Sequence, residues 1–182
     1  MKTDNIERYL NSFGKQVVNR AKGGLQKNKG GGSALENSIY FKVKSIPNGY
    51  SVDFYMADYG AFVDKGVSGT EIKRSFKNFK SKVITSPFSY KKSKGHSQPP
   101  SRVLDKWIVK KGIAPRDKKG RFLSRKSISF LIARSIGRKG IQGISFFQKP
   151  LQLGLKQFGK DLLGNVKEDI IKGIKTQKIT VK

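Results

Sequence analysis

Ala57-Asp58-Tyr59-Gly60-Ala61-Phe62-Val63-Asp64-Lys65-Gly66-Val67-Ser68-Gly69-Thr70 is the stretch on which the fold turns. Just before it, Val52, Phe54 and Met56 alternate with Asp53 and Tyr55, the period-two pattern of a strand with one buried face. Inside it, Tyr59, Phe62 and Val63 recur at roughly helical spacing, which predicts a short helical turn anchoring the strand's end. Gly66 and Gly69 permit positive φ and hence a sharp exit. The stretch therefore reads as a corner between ordered sheet and a long basic segment.

Upstream, Ile39, Phe41 and Val43 alternate with Tyr40, Lys42 and Lys44, and Pro47-Asn48-Gly49 separates this run from the next. Asn-Gly between alternating runs is a strong hairpin signal. A two-stranded unit is not stable alone, so its apolar face needs a cover. The nearest candidate is a helix capped by Thr3 or Asp4, on which Ile6, Tyr9, Leu10, Phe13, Val17, Ala21 and Leu25 share a face. Gly23-Gly24 should weaken its last turns, and the run from Lys29 to Ser33 reads as a linker. The run lacks the Gly-Lys-Ser/Thr ending of a phosphate-binding loop.

Downstream, residues 72–104 contain no acid but hold Lys73, Arg74, Lys77, Lys80, Lys82, Lys91, Lys92, Lys94 and Arg102, interleaved with Phe76, Phe79, Phe88 and Tyr90. This mixture suits phosphate contacts with stacking, packing on an acidic partner, or a solvated loop. Ser101 is expected to cap a short helix bearing Val103, Leu104, Trp107 and Ile108, ended by Gly112 and Pro115. Residues 116–122 read as a polar turn or small hairpin. Ser124 or Ser127 then starts a helix with Ile128, Leu131, Ile132, Ser135 and Ile136 on one side, stopped by Gly140. Pro150 suits the first turn of a last helix, whose stripe is Leu151, Leu155, Phe158, Leu162, Val166, Ile170 and Ile174. Lys178-Ile179-Thr180-Val181-Lys182 alternates and is a candidate edge strand.

The expected fold class is α+β: an N-terminal helix, an antiparallel hairpin extending into a small sheet, a long basic loop, and two to three C-terminal helices packed on the sheet. At 182 residues, one domain over 1–182 is expected. Its parts are the helix over 1–28, hairpin and corner over 36–70, extended basic loop over 71–100, and helical part with a final strand over 101–182. Thirty-nine Lys and Arg against twelve Asp and Glu give a formal charge of +27, far above what solubility asks, so a polyanion or an acidic surface is the expected neighbour. Cysteine is absent, which removes disulfides, thiolate metal sites and cysteine nucleophiles. Neither a signal-peptide core nor a run of about 18 apolar residues is present, so no membrane partner is expected. The expected place is a cytoplasm or a particle assembled there.

Two separated pieces, Tyr59-Gly60-Ala61-Phe62-Val63-Asp64-Lys65-Gly66 and Ile132-Ala133-Arg134-Ser135-Ile136-Gly137-Arg138-Lys139-Gly140-Ile141, the latter followed by Phe146-Phe147-Gln148-Lys149-Pro150-Leu151, fit one picture. In these segments and in the order of its parts the chain resembles the tail-completion and head-to-tail connector proteins of tailed bacteriophages. Asp64 stands where that family usually has Glu, Lys65 where it has an apolar residue, and Gly66 to Thr70 lengthens its usual Gly-Thr. The resemblance implies a non-enzymatic virion protein with no cofactor or metal, forming a homo-oligomeric ring in the neck or at the head-proximal end of the tail. The implied partners are portal, connector or tail proteins, with double-stranded DNA in the lumen.

On that reading, Tyr59, Phe62, Val63, Asp64, Gly66, Phe146, Phe147 and Pro150 are the candidate subunit contacts, with copies sharing sheet edges. Replacing Phe146 and Phe147 with Ser is expected to weaken assembly while leaving the monomer folded. The nine basic residues named above are the candidate contacts to DNA or an acidic partner. Two alternatives compete. Charge alone recommends a sequence-nonspecific nucleic-acid binder. Asp53, Asp58 and Asp64 with Glu71-Ile72-Lys73 outline a metal-dependent nuclease, whereas the single histidine, His96, reads as a solvated loop residue.

Overall fold

In the computed structural model, which describes residues 4–29, 32–47, 49–91 and 97–176, the chain is α+β, with α1 Asp4–Lys29, α2 Ala34–Ser38, β1 Tyr40–Ile46, β2 Gly49–Tyr55, α3 Gly60–Lys65, β3 Gly66–Ser68, β4 Ser75–Lys77, β5 Val83–Thr85, α4 Ser101–Lys110, α5 Arg125–Lys139, β6 Gly140–Gln142 and α6 Gln148–Thr176. The expected final strand at 178–182 lies outside the described residues. The chain gathers into two compact units. One holds Met1–Gly60, Lys77–Lys82 and Ser145–Lys182, and the other holds Ala61–Phe76 and Val83–Ile144.

The first unit is a helix pair over a hairpin. Leu10, Phe13, Val17, Ala21 and Leu25 of α1 are all buried, as their spacing requires. The hairpin registers Tyr40 against Tyr55 and Ile46 against Gly49. Its inward face meets α1 through Phe54, whose ring stands edge-on to Phe13 at 6.3 Å. α6 closes the other side: Phe158 meets Phe13 at 5.0 Å, and Tyr9 donates to the Phe158 carbonyl at 3.3 Å. Farther along, the buried Asp169 carboxylate accepts the Ile6 N–H at 3.1 Å, satisfying an otherwise orphaned donor in the first turn of α1. The expected stripe on α6 is half-buried at Leu151, Phe158, Leu162 and Val166, with one departure. Pro150, Gly154 and Asp169 are buried, whereas Leu155 is exposed, because α6 faces a helix rather than a sheet and Gly154 lets the Phe13 ring come close.

α1 continues through Gly23-Gly24 to Lys29, where the linker run is expected to end it. At the end of the expected linker, Ser33 caps α2 by accepting the Glu36 N–H at 3.2 Å while the Glu36 carboxylate takes the Gly32 N–H at 2.9 Å. The arrangement is close to a capping box, with the carboxylate bonded one residue ahead of the N-cap.

In the second unit α4 packs on α5. Pro100, not Ser101, is the N-cap of α4 and makes no side-chain cap bond. Ser124 caps α5 as expected, accepting the Ser127 N–H at 3.2 Å. The buried face of α5 is rotated from the expected one. Ile128, Ser129, Ala133 and Gly137 are inside and Leu131 is 56% exposed, since small residues let the 97–98 backbone approach the helix. Residues 116–122 form the small hairpin, with a bridge from Arg116 to Phe122. The basic segment is not a plain loop, for β4 and β5 pair within it. Nor does the first hairpin extend into a larger sheet: among the described residues there are three separate two-stranded sheets, β1-β2, β3-β6 and β4-β5.

Candidate functional site

The corner ends as its sequence predicts, in a single helical turn, α3, followed by Gly66 at φ 77°. The strand beyond it carries no periodic signal of its own. β3 pairs antiparallel with β6, setting Gly66 against Gln142, Val67 against Ile141 and Ser68 against Gly140. The Val63 carbonyl accepts the Ile144 N–H at 3.1 Å, and Ser68 also bonds both ways with the 88–90 backbone, its N–H to the Phe88 carbonyl at 2.8 Å and its carbonyl from Tyr90 at 2.9 Å. The Ser86 hydroxyl, buried, donates to the Gly66 carbonyl at 2.6 Å. A dense backbone junction thus joins segments some seventy residues apart in sequence.

Gly140 makes the junction possible. It terminates α5 at φ 70°, ψ −172°, a conformation open to glycine and strained for other residues. A Cβ there would collide with the Val67 carbonyl oxygen and lie 2.5 Å from the Gly69 nitrogen. The last carbonyls of α5 are taken by the same corner, Gly137 from the Thr70 N–H at 2.9 Å and Arg138 from the Glu71 N–H at 3.0 Å.

Beside the junction, Thr70, Glu71, Ser97, Gln98, Arg134 and Arg138 line an open cleft of about 380 Å³. Arg138 Nε lies 2.6 Å from Glu71 Oε1, and this bond raises the guanidinium pKa above its ordinary value. The pair is more than half exposed, so its net worth is small.

The candidate contact residues divide. Tyr59 and Phe62 are 46% and 44% exposed, free to meet a neighbour even though Phe62 also touches Phe88 at 4.3 Å. Val63 is half-buried. Asp64, Gly66, Phe146 and Pro150 are buried within their own units, and Phe147 is half-buried against Phe54 at 5.4 Å. These last five residues build the protomer. The expectation that Phe146 and Phe147 form an exposed contact is corrected accordingly: Phe146 retains only 2% of its surface.

Of the basic residues, Lys73, Lys77, Lys80, Lys82, Lys91 and Arg102 are exposed. Arg74 is instead engaged inside its unit, donating from Nε to the Lys139 carbonyl at 2.8 Å. Lys92, Lys94 and His96 lie outside the described residues.

The carboxylates of the nuclease pattern stand in different settings. Asp53 pairs with Lys44 at 2.7 Å, Asp64 is buried, Asp58 sits in an exposed turn and Glu71 holds Arg138. Among the described residues no group of three or more His, Asp or Glu gathers as a metal site would need. Nor, among them, is any helix long and apolar enough to cross a membrane.

The outer face of the first hairpin is a feature that strand alternation alone does not announce. Tyr40 and Tyr55 stack across the strands at 4.8 Å, with Lys42 Nζ 5.8 to 5.9 Å from both rings. Lys44 is hydrogen-bonded to Asp53 and to the Tyr55 hydroxyl, which raises its pKa. The Lys44 bond and that from Ser51 hold the Asp53 carboxyl below its usual value. A carboxyl depressed on folding stabilises the hairpin above its unfolded pKa, about 3.9, and that contribution is lost as pH falls through the folded value. In an NMR titration Asp53 is expected to protonate below the ordinary aspartate range, and Lys44→Met to bring it back up. An unchanged midpoint in the variant contradicts the pairing.

Comparison with protein-family models, with curated proteins and with solved structures returned no match.

Proposed function

We propose that this chain is a structural virion protein of a tailed bacteriophage. It closes with its own copies into a ring in the neck or at the head-proximal end of the tail, joining portal or connector to tail around the DNA passage. The observation that carries the reading is the β3-β6 junction. The two segments on which the resemblance to connector proteins rests, Tyr59 to Gly66 and Ile132 to Ile141, each run into one strand of this ladder, Gly66–Ser68 and Gly140–Gln142, so they end at one structural junction. Two further features support assembly. Each strand of β1-β2 leaves one edge unpaired among the described residues, and Tyr59 and Phe62 present apolar area outward. The charge of +27 suits a protein that surrounds a polyanion.

The charge also favours a second reading, a sequence-nonspecific nucleic-acid-binding protein. Size-exclusion chromatography with light scattering, run with and without portal and connector components, separates the two. Discrete rings, or oligomers that form only with those partners, support the connector. A persistent monomer with tight, salt-sensitive DNA affinity supports the binder. Tyr59→Ala is expected to lower the oligomer fraction severalfold with an unchanged melting curve, and an unaffected ring rejects Tyr59 as a contact.

A further inference from the structure

We infer that the β4-β5 turn and the first turns of α6 form one lysine-lined edge that binds the phosphate backbone of double-stranded DNA. Phe76 is 5% exposed, so alternation turns Lys77 outward. The turn after it is firmly built. The Asn78 N–H donates to the Lys82 carbonyl at 2.9 Å, and the Asn78 side-chain oxygen accepts from the N–H groups of Lys80 at 3.0 Å and Lys82 at 2.9 Å. Ser81 takes φ 67° to complete it. The turn is then seated on α6, where Gln148 Oε1 accepts the Phe79 N–H at 3.0 Å and the Gln152 amide bonds the Ser81 hydroxyl.

Helical spacing puts Lys149 and Lys156 beside Gln152, at i−3 and i+4, and both are exposed. Five exposed lysines, Lys77, Lys80, Lys82, Lys149 and Lys156, therefore border one docked turn. No acid occurs in Lys77–Lys82 or in α6 before Asp161.

The chemistry selects the occupant. Protein interfaces deplete lysine at their centres and favour arginine and multiple aromatics, whereas this edge is all lysine. A lysine ammonium is a strongly hydrated point charge, suited to a phosphate that stays wet. Single-stranded nucleic acid asks for successive stacking platforms. The edge has only Phe79, 37% exposed, with Lys80 Nζ 5.8 Å from its ring. Duplex backbone fits both facts, and such contacts position DNA without reading its sequence. The inference rests on the ring reading only for its setting, a duplex threading the particle.

The test is the affinity of the full chain for a labelled duplex of random sequence, measured across a salt series by fluorescence anisotropy. Lys77→Gln/Lys80→Gln/Lys82→Gln removes three phosphate contacts and is expected to flatten the slope of log K against log salt by about 2.7. Between 50 and 200 mM salt the wild type should then lose roughly forty-fold more affinity than the variant. Lys118→Gln/Lys119→Gln/Lys126→Gln removes the same charge at exposed positions elsewhere and is expected to shift the slope by less than about 1.

Equal flattening by both triples, or none by the first, overturns the inference. So does an unlabelled single strand that competes better than the duplex, or a polyglutamate that displaces the duplex alike from the wild type and from the Lys77/Lys80/Lys82 variant, called the tip variant after the turn it alters. Light scattering on the same samples keeps the two claims apart. A tip-dependent slope without rings supports the inference alone, and rings with a tip-independent slope overturn it while leaving the connector standing.

Discussion

Gly140→Ala is expected to lower the urea midpoint of the Ala61–Phe76 and Val83–Ile144 unit sharply, with a loss of about 4 kcal/mol or more. Two costs combine. The backbone at φ 70°, ψ −172° is strained by about 1–3 kcal/mol in any residue with a Cβ. That Cβ would also be driven into the Val67 carbonyl oxygen and to within 2.8 Å of the Ser68 carbonyl carbon. Neither neighbour is a flexible side-chain end, so relief requires parting β3 from β6 and freeing the corner that caps α5. Stabilities of whole domains lie near 5–15 kcal/mol, so a loss of this size leaves the unit marginal. The single tryptophan, Trp107, lies on α4 of the same unit and reports the transition directly. A Trp107 fluorescence midpoint unchanged by the substitution contradicts the role given to the junction. A control, Gly120→Ala, also alters a positive-φ glycine, at 79°, but with nothing within 4 Å of the added methyl, and should cost only the conformational strain.

The second large effect falls in the other unit. Phe146→Ala is expected to cost about 3–5 kcal/mol, the usual range for emptying a buried phenylalanine site. The ring is 2% exposed, and the residue lies against α1, where a Cβ added at Gly24 would stand 3.5 Å from the Phe146 Cβ. Ser145 before it is held at φ 51° and is itself buried, which limits how far the backbone can relax into the cavity. Helical ellipticity through a denaturant series should show an earlier transition. A variant that unfolds like the wild type shows that Phe146 is dispensable to the protomer and restores it as a candidate surface contact. The same packing revises the double serine substitution at Phe146 and Phe147, now expected to unfold the Met1–Gly60, Lys77–Lys82 and Ser145–Lys182 unit before it touches assembly.

The sequence was most readable where one periodicity acted alone. Leu10, Phe13, Val17, Ala21 and Leu25 stand 0–8% exposed, and the Ile39 to Met56 alternation with its Pro47-Asn48-Gly49 turn leads directly to the paired register. Local turn chemistry was legible too, in the Ser124 cap, the Gly140 stop and the exit at Gly66. Reading failed where a long-range partner decides. Gly66-Val67-Ser68 and Gly140-Ile141-Gln142 are three residues each, too short for any period, and only their pairing across the unit makes them strands. On α5 the apolar pattern points to Leu131, but the buried face is that of Ser129, Ala133 and Gly137, with the 97–98 backbone close against Gly137. The Ser33 cap of α2 is a signal within reach, since Ser-x-x-Glu is a sequence mark of a helix start.

For the candidate contacts, residue type alone could not separate aromatics that build the protomer from those left outside it. Tyr59 and Phe146 look alike in sequence and differ from 46% to 2% in exposure. Sequence shows how many basic residues there are but not which of them share an edge. Asn78, Gln148 and Gln152, which carry no charge, are what gather Lys77, Lys80 and Lys82 into one edge.

A cryo-EM map of the assembled particle's neck decides whether this chain is a connector. A closed ring of copies around the DNA channel is expected, with Tyr59 at the contact between neighbours and the Lys77–Lys82 turn facing the channel. A neck completed entirely by other chains, with this protein absent from the particle, contradicts it.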